Sequence, residues 1–308
     1  MRKSPVIPII AAVAFAGIFA FVRSAASAQA PEKGAAVAER HTPARAEGTT
    51  LRAASFNILY AGNKKHPWAE RRAAVVAAIR DMDPDVFGVQ EAEWSQMLDL
   101  LDALPGYAAI GRGRMGGYTG SELTGLFFRR DRFVLVDAET FWLSDTPGTP
   151  DSNTWGAAFP RTATVGILID RTDGAPIGVL NTHFDHMGAT AREKSAALLQ
   201  ARLPQYGKGL PWVLLGDFNA DPGSKPHQTL VGPGNALGLI DSFAVLHADA
   251  PADTSSFHGY AGQPRAGSRI DWVIVTPGIR PLAGAINQHE YGGMLPSDHY
   301  PVWADLKK

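Results

Sequence analysis

Eight polar residues stand where apolar runs end or begin: Asn57, Glu91, His183, Asp217, Asn219, Asp271, Asp298 and His299. Asn57 follows Leu51–Phe56, Glu91 follows Asp85–Gln90, His183 follows Ile177–Thr182, and Asp217 and Asn219 follow Trp212–Leu215. Asp271 opens the run to Val275, and Asp298-His299 precede Tyr300–Leu306. Gathered on one rim, they have the parts for metal-assisted hydrolysis. Carboxylates bind a cation, which neutralises phosphoryl charge and acidifies water. Imidazole moves protons near neutral pH, and a carboxylate behind each ring fixes its tautomer. Each residue also has a bland reading. Asp217-Phe218-Asn219 suits a turn, Asp271 suits a surface ion pair with Arg269, and His183 suits a core position. Recurrence at strand ends favours chemistry.

The elements that must position them are a mixture of strands and helices. Apolar periodicity predicts strands at Leu51–Ile58, Asp85–Gln90, Leu123–Phe128, Phe133–Trp142, Thr162–Ile169, Ile177–Thr182, Trp212–Leu215, Ile270–Val275 and Tyr300–Leu306. Helices are predicted at Trp68–Met82, Trp94–Leu104 and Ala189–Leu203. Hairpins outnumber strand–helix–strand units, so two packed mixed sheets with outer helices fit better than a doubly wound parallel sheet. Four site segments leave strands and two enter them. One shared rim therefore requires the last two of these strands to run against the other four. Ser144–Pro160, Asp221–Gly238 and His247–Ser268 carry little regular pattern and are candidates for substrate contact.

Composition bounds the function. The 308 residues are 45% hydrophobic, enough to bury a sizeable core. No cysteine is present, which excludes disulfides, thiolate metal sites and a cysteine nucleophile. Any metal must be held by oxygen and imidazole, the preference of Mg²⁺, Mn²⁺ or Ca²⁺. Arg2 and Lys3, the apolar run from Val6 to Val22, and two A-x-A sites within Ala26–Ala30 read as an export signal over residues 1–30. The competing reading is an uncleaved anchor at residues 6–22, at the short end of the roughly 17–25 residues of a spanning helix. Residues 31–50 read as a flexible linker and residues 51–308 as the catalytic domain. The protein is expected in the periplasm or outside the cell, as a monomer, with no membrane span after cleavage. The net charge is −1, and removing residues 1–30 takes away Arg2, Lys3, Arg23 and no acid, leaving 26 basic against 30 acidic residues. That balance favours a small phosphorylated substrate, nucleotide or short nucleic acid over a long duplex.

Ser55-Phe56-Asn57-Ile58, Gln90-Glu91, Asn181-Thr182-His183-Phe184-Asp185, Gly216-Asp217-Phe218-Asn219, Arg269-Ile270-Asp271 and Ser297-Asp298-His299-Tyr300-Pro301-Val302 occur in this order. The set resembles the endonuclease/exonuclease/phosphatase superfamily with its deoxyribonuclease-I-like fold, over about residues 51–306. Thr140–Ser144, Phe159–Arg161, Asn181–His186 and Ser256–Gly259 look most like a bacterial group distantly similar to the deadenylase branch. The resemblance implies an α+β, four-layer αββα sandwich with its site at one edge. It implies that Glu91, helped by Asn57, holds a divalent cation, most simply Mg²⁺ or Mn²⁺, with Asp298 on the opposite side. Asp217 and Asn219 then orient water or a phosphate oxygen, and His299 with Asp271 behind it acts as base or phosphate stabiliser. His183 faces the leaving group, with Glu122 as its carboxylate partner and Asp185 and His186 in support. Which group takes the proton stays open. Arg161 and His258, in or beside the long loops, are candidate phosphate ligands; Trp155 and Tyr118 either stack on substrate or pack their own loops. The implied activity is hydrolysis of a phosphomonoester or phosphodiester outside the cytoplasm. The alternatives are an exported nuclease and a non-catalytic phosphate-binding module.

Overall fold

The computed structural model describes residues 40–251, 254–261 and 268–308. The chain runs β1 (Leu51–Asn57), α1 (Trp68–Met82), β2 (Val86–Ala92), α2 (Trp94–Ala103), β3 (Tyr107–Ile110), β4 (Leu123–Arg129), β5 (Phe133–Trp142) and β6 (Thr162–Asp170). It continues β7 (Pro176–His183), α3 (Ala189–Arg202), β8 (Trp212–Asp217), α4 (Lys225–Val231), β9 (Ile240–Asp241), α5 (Ser242–Leu246), β10 (Asp271–Val275), β11 (Arg280–Ile286) and β12 (Val302–Lys307). Two six-stranded mixed sheets result, in the orders β11-β12-β1-β2-β4-β3 and β5-β6-β7-β8-β10-β9.

Strands β1 and β2 pair in parallel, as do β7 and β8, while β12 opposes β1 and β10 opposes β8. The last two site strands thus run against the other four, as one shared rim requires. Both faces of each central strand are buried, so the runs are nearly continuously apolar. Val86, Leu126, Val179, Val213, Leu215 and Val302 fill the space between the sheets. Val75, Ile79, Met97 and Leu100 of the first two helices cover one outer face. Ala196, Leu199 and Leu230 of α3 and α4 cover the other. The architecture is the expected αββα sandwich.

Under the site the sheets are bolted by polar groups. Asn181 of β7 donates to Val89 O (2.9 Å) and Gly125 O (2.7 Å) of the opposite sheet, and its Oδ1 accepts from Gln90 Nε2 (2.6 Å). A Cβ on Gly88 would stand 2.4 Å from Asn181 Oδ1, so only glycine admits this approach. Gly88→Ala is expected to cost about 2 kcal/mol or more by displacing a satisfied buried amide, measured as a lower urea midpoint at unchanged slope.

Two expectations need correction. Residues 40–50, placed in a flexible linker, are pinned to the domain. Thr42 donates to Asp81, Arg45 pairs with Asp85 (2.5 Å), and Ala46 N–H reaches Asp305 Oδ2 (2.8 Å). Asp221–Gly238, expected to be irregular, contains α4. Residues 1–39, which include the expected leader, the anchor at 6–22 and the first part of the linker, lie outside the described residues. Among those described, no helix is long and apolar enough to cross a membrane.

Candidate active site

Asn57, at the exit of β1, is fully buried and joins two parts of the rim. Its Nδ2 donates to Glu91 Oε1 (3.1 Å) and to Asp217 Oδ2 (3.0 Å), which lies in the other sheet. Glu91 takes a left-handed backbone (φ 59°) where the β2–β4 register breaks between Val89 and Ala92. The bulge re-aims its carboxylate, and such strain gathers at working sites. Asn219 also has positive φ (47°), which asparagine tolerates. Its N–H donates to Asp217 Oδ1 (2.9 Å), and its Nδ2 donates to Phe184 O (3.0 Å).

The two imidazoles converge on Asp217: His183 Nε2 lies 3.5 Å and His299 Nε2 3.7 Å from Asp217 Oδ2. His299 Nδ1 is 2.9 Å from Asp271 Oδ2, which also accepts from Ser256 Oγ (2.7 Å). Burial works against a charged His299, yet the charges of Asp271 and Asp217 and the bond to Asp271 outweigh it and raise its pKa. Asp217 is raised too, by burial and by repulsion from Asp271, against the pull of His299. His183 is lowered well below the ordinary histidine range by burial and by the cations of Arg161 and Arg114. These shifts favour the neutral ring at His183 and the protonated ring at His299.

Arg161, only 4% exposed, sits inside the site. Its Nη1 is 3.0 Å from His183 Nδ1 and its Nη2 is 2.9 Å from His186 Nδ1, with Asp185 3.5 Å from Nε. Asp185 ties this corner together by accepting from Ala158, Met187 and Gly188 N–H. Arg114, which the sequence reading missed, lines one pocket with Arg161, Glu91, Glu122 and His183. Only its glycine-rich surroundings, Arg112-Gly113-Arg114-Met115-Gly116-Gly117, marked it in the sequence.

Two assignments shift. Glu122 lies in that pocket but pairs with Arg114 (2.7 Å), not with His183, whose ring is flanked by Arg161. Burial raises the Glu122 carboxyl to about 7, with Glu91 adding to the effect and Arg114 opposing it. His258 is fully buried between Tyr260 and Tyr300, and its Nδ1 accepts from Tyr260 N–H (3.2 Å), so that nitrogen is spent on its own loop rather than on a phosphate. Trp155 and Tyr118 pack their own surroundings: Trp155 Nε1 donates to Asp145, and Arg112 covers Tyr118.

Arg71 of α1 fixes two rim loops at once. It donates to Ile58 O (2.6 Å), Leu59 O (2.8 Å) and His66 O (2.8 Å), just after Asn57, and to Pro296 O (2.9 Å), just before Asp298. Ser297 Oγ closes the same seam on Asn57 O (2.7 Å). Arg71→Met leaves several carbonyls buried without a donor. It is expected to cost about 3 kcal/mol or more of stability, read by urea unfolding, and to lower turnover in the still-folded fraction.

A cation has two places to go. Glu91 is partly exposed, and among the described residues its carboxylate accepts from Asn57 Nδ2 and Tyr60 N–H alone, so lone pairs remain for a hard ion. Asp217, Asp271 and His299 also bring one ligand atom each within 4.8 Å of one another. Those atoms are already engaged with each other and with Asn57, Asn219 and Ser256, which favours Glu91.

A family model described as "Endonuclease/Exonuclease/phosphatase family" matches residues 54–299. A mannosyl-6-phosphatase of Bacteroides thetaiotaomicron superposes with a TM-score of 0.77 at 32% identity, over 83% of this chain and 99% of that one. The human Nocturnin catalytic domain with bound sulfate shares the fold at 20% identity and a TM-score of 0.68, over 85% and 96% of the two chains. Protein angel of Drosophila melanogaster is 24% identical over 250 residues, 76% of this chain but only 64% of that protein's length. Nocturnin and Protein angel meet the expected distant likeness to the deadenylase branch.

Proposed function

We propose, because this chain belongs to the endonuclease/exonuclease/phosphatase family, that it is a Mg²⁺- or Mn²⁺-dependent phosphatase of small phosphorylated sugars working outside the cytoplasm. The observation that carries the choice of substrate is the pocket where Arg114 and Arg161 meet beside Glu91 and His183. Two buried guanidiniums suit the doubly charged terminal phosphate of a monoester. The likeness to a mannosyl-6-phosphatase across nearly that protein's whole length supports a phosphosugar. The excess of acidic residues argues against a long duplex.

Glu91 and Asn57 would hold a cation, with Asp298 a further candidate ligand, and the bound ion would supply neutralisation of phosphoryl charge. Arg161 and Arg114 orient the phosphate, and His183, neutral, donates a hydrogen bond towards the leaving group. His299, charged and backed by Asp271, stabilises the oxygens that gain charge. Asp217, with its raised pKa and its position against both rings, accepts the proton of the attacking water, and Asn219 helps hold that water.

The test offers chelator-stripped protein p-nitrophenyl phosphate, bis-p-nitrophenyl phosphate, hexose 6-phosphates, nucleotides and DNA, with Mg²⁺ or Mn²⁺ restored. Metal-dependent release of phosphate from the hexose phosphates, faster than any diester cleavage, is expected. Preference for DNA would replace the reading with a nuclease, and silence towards every ester would leave only a binding module. Arg114→Gln and Arg161→Gln should each raise KM for the monoester about tenfold to a hundredfold, the size of one charge-assisted contact.

A further inference from the structure

Beside Asp271 a small cavity opens between α5, β10, β11 and β12. Arg269, Asp271 and Ser242 line it together with apolar residues such as Phe243, Ala285 and Trp303. Three buried polar atoms belong to this lining and have no hydrogen-bond partner among the described residues: Asp271 Oδ1, Arg269 Nη1 and Ser242 Oγ. The residues that carry them are 1%, 5% and 1% exposed. Their other groups are in use. Asp271 Oδ2 holds His299 and Ser256. Arg269 Nη2 donates to Asp241 Oδ2 (2.6 Å), which His227 Nε2 also approaches (3.2 Å), and Arg269 stacks on Phe243. Buried polar groups find partners in native proteins, and a site with one acceptor, one donor and one hydroxyl is what an internal water requires.

We propose that this cavity is an ordered-water site, and that through the water Arg269 acts as a positioning residue for Asp271 and hence for His299. The guanidinium in the lining excludes a cation and the carboxylate excludes an anion, so the ligand is neutral and small. The water accepts from Arg269 Nη1, donates to Asp271 Oδ1 and shares a bond with Ser242 Oγ. It fixes the rotation of the Asp271 carboxylate, so that Oδ2 stays aimed at the imidazole. Asp241 anchors Arg269 and caps α5 through Phe243 and Ala244 N–H, so the helix and the catalytic pair share one support. The role given to Arg269 rests on the catalytic reading of His299; the water site itself does not.

The test has two arms. A crystal structure at about 1.5 Å or better is expected to show a fully occupied water within hydrogen-bond reach of Asp271, Arg269 and Ser242; a dry cavity overturns the proposal whatever the substrate. Ala285→Leu, which fills the space, and Ser242→Ala, which removes one partner, are compared with wild type on its best phosphate ester. Ala285→Leu should lower kcat at least tenfold and Ser242→Ala severalfold, both with KM unchanged. Should Ala285→Leu fail to fold, Ser242→Ala carries the arm. Wild-type kcat in the folded variants overturns the positioning role, whereas an inactive wild type overturns the phosphatase reading and leaves the crystallographic result standing.

Discussion

His299→Ala is expected to lower kcat by about a thousandfold or more, and Asp217→Ala by a similar factor, while the double variant is little worse than either single one. The two side chains act on the same reaction: one takes the proton from water and the other steadies the oxygens that gain charge. Their separation of 3.7 Å, with Asp271 at the far side of the ring, makes them one electrostatic unit. Single-turnover rates of the three variants on one ester measure the coupling, and simple multiplication of the two losses would sink the idea. Asp217→Asn separates chemistry from stability. The folded protein holds the Asp217 carboxyl near 7, above its ordinary unfolded value, through burial and repulsion from Asp271. A raised carboxylate pKa means that wild type loses stability as pH climbs from the ordinary carboxylate range towards neutrality. Asparagine has no proton to lose there. Asp217→Asn should therefore melt a few degrees above wild type at pH 7 and show no such gain at pH 4, while its turnover collapses. Equal melting temperatures at pH 7 would show that the site stores no such strain.

Much of this site was legible because each functional residue ends or begins an apolar run, and the polarity of those runs dictates the shared rim. β1, β2, β7, β8, β10 and β12 are buried on both faces, and their apolar pattern survives in the sequence. β11 was not legible. It is an edge strand in which a buried Pro281 is followed by the half-buried Leu282 through Ile286, three of them Ala or Gly, with a register shift between Pro281 and Ala283, so neither alternation nor β-propensity marks it. β3 has only four residues and α5 only five, too short for a period to show. Residues 40–50 resemble a linker by local composition, but Asp81, Asp85 and Asp305, which hold Thr42, Arg45 and Ala46, are about 40 to 259 residues away. Partner choice fails for the same reason. Glu122 was expected behind His183, yet Arg114 claims it, and Arg161 occupies the place beside the ring. Spacing along the chain indicates which residues reach the rim, and packing between the loops decides which neighbours they meet there.

Removal of divalent metal is expected to abolish turnover, and Glu91→Gln to shift the metal dependence by about a hundredfold or more towards higher concentration, since one anionic oxygen is lost from a small donor set. The isosteric amide keeps an oxygen for Asn57 Nδ2, so the Asn57–Asp217 bond and the rim geometry persist. Thermal shift gives a readout independent of catalysis. A ligand that binds only the folded state raises the melting temperature with the logarithm of the ratio of its concentration to its Kd. Wild type should gain stability with millimolar Mn²⁺, Glu91→Gln far less, and Asp271→Asn about as much as wild type. That last comparison decides between the two places a cation has in this site. If Asp271→Asn loses the metal response and Glu91→Gln keeps it, the ion belongs to Asp217, Asp271 and His299. The charged imidazole would then be impossible, because a ring nitrogen cannot hold a proton and a metal together, and His299 would have to be a ligand rather than the group that steadies the phosphoryl oxygens.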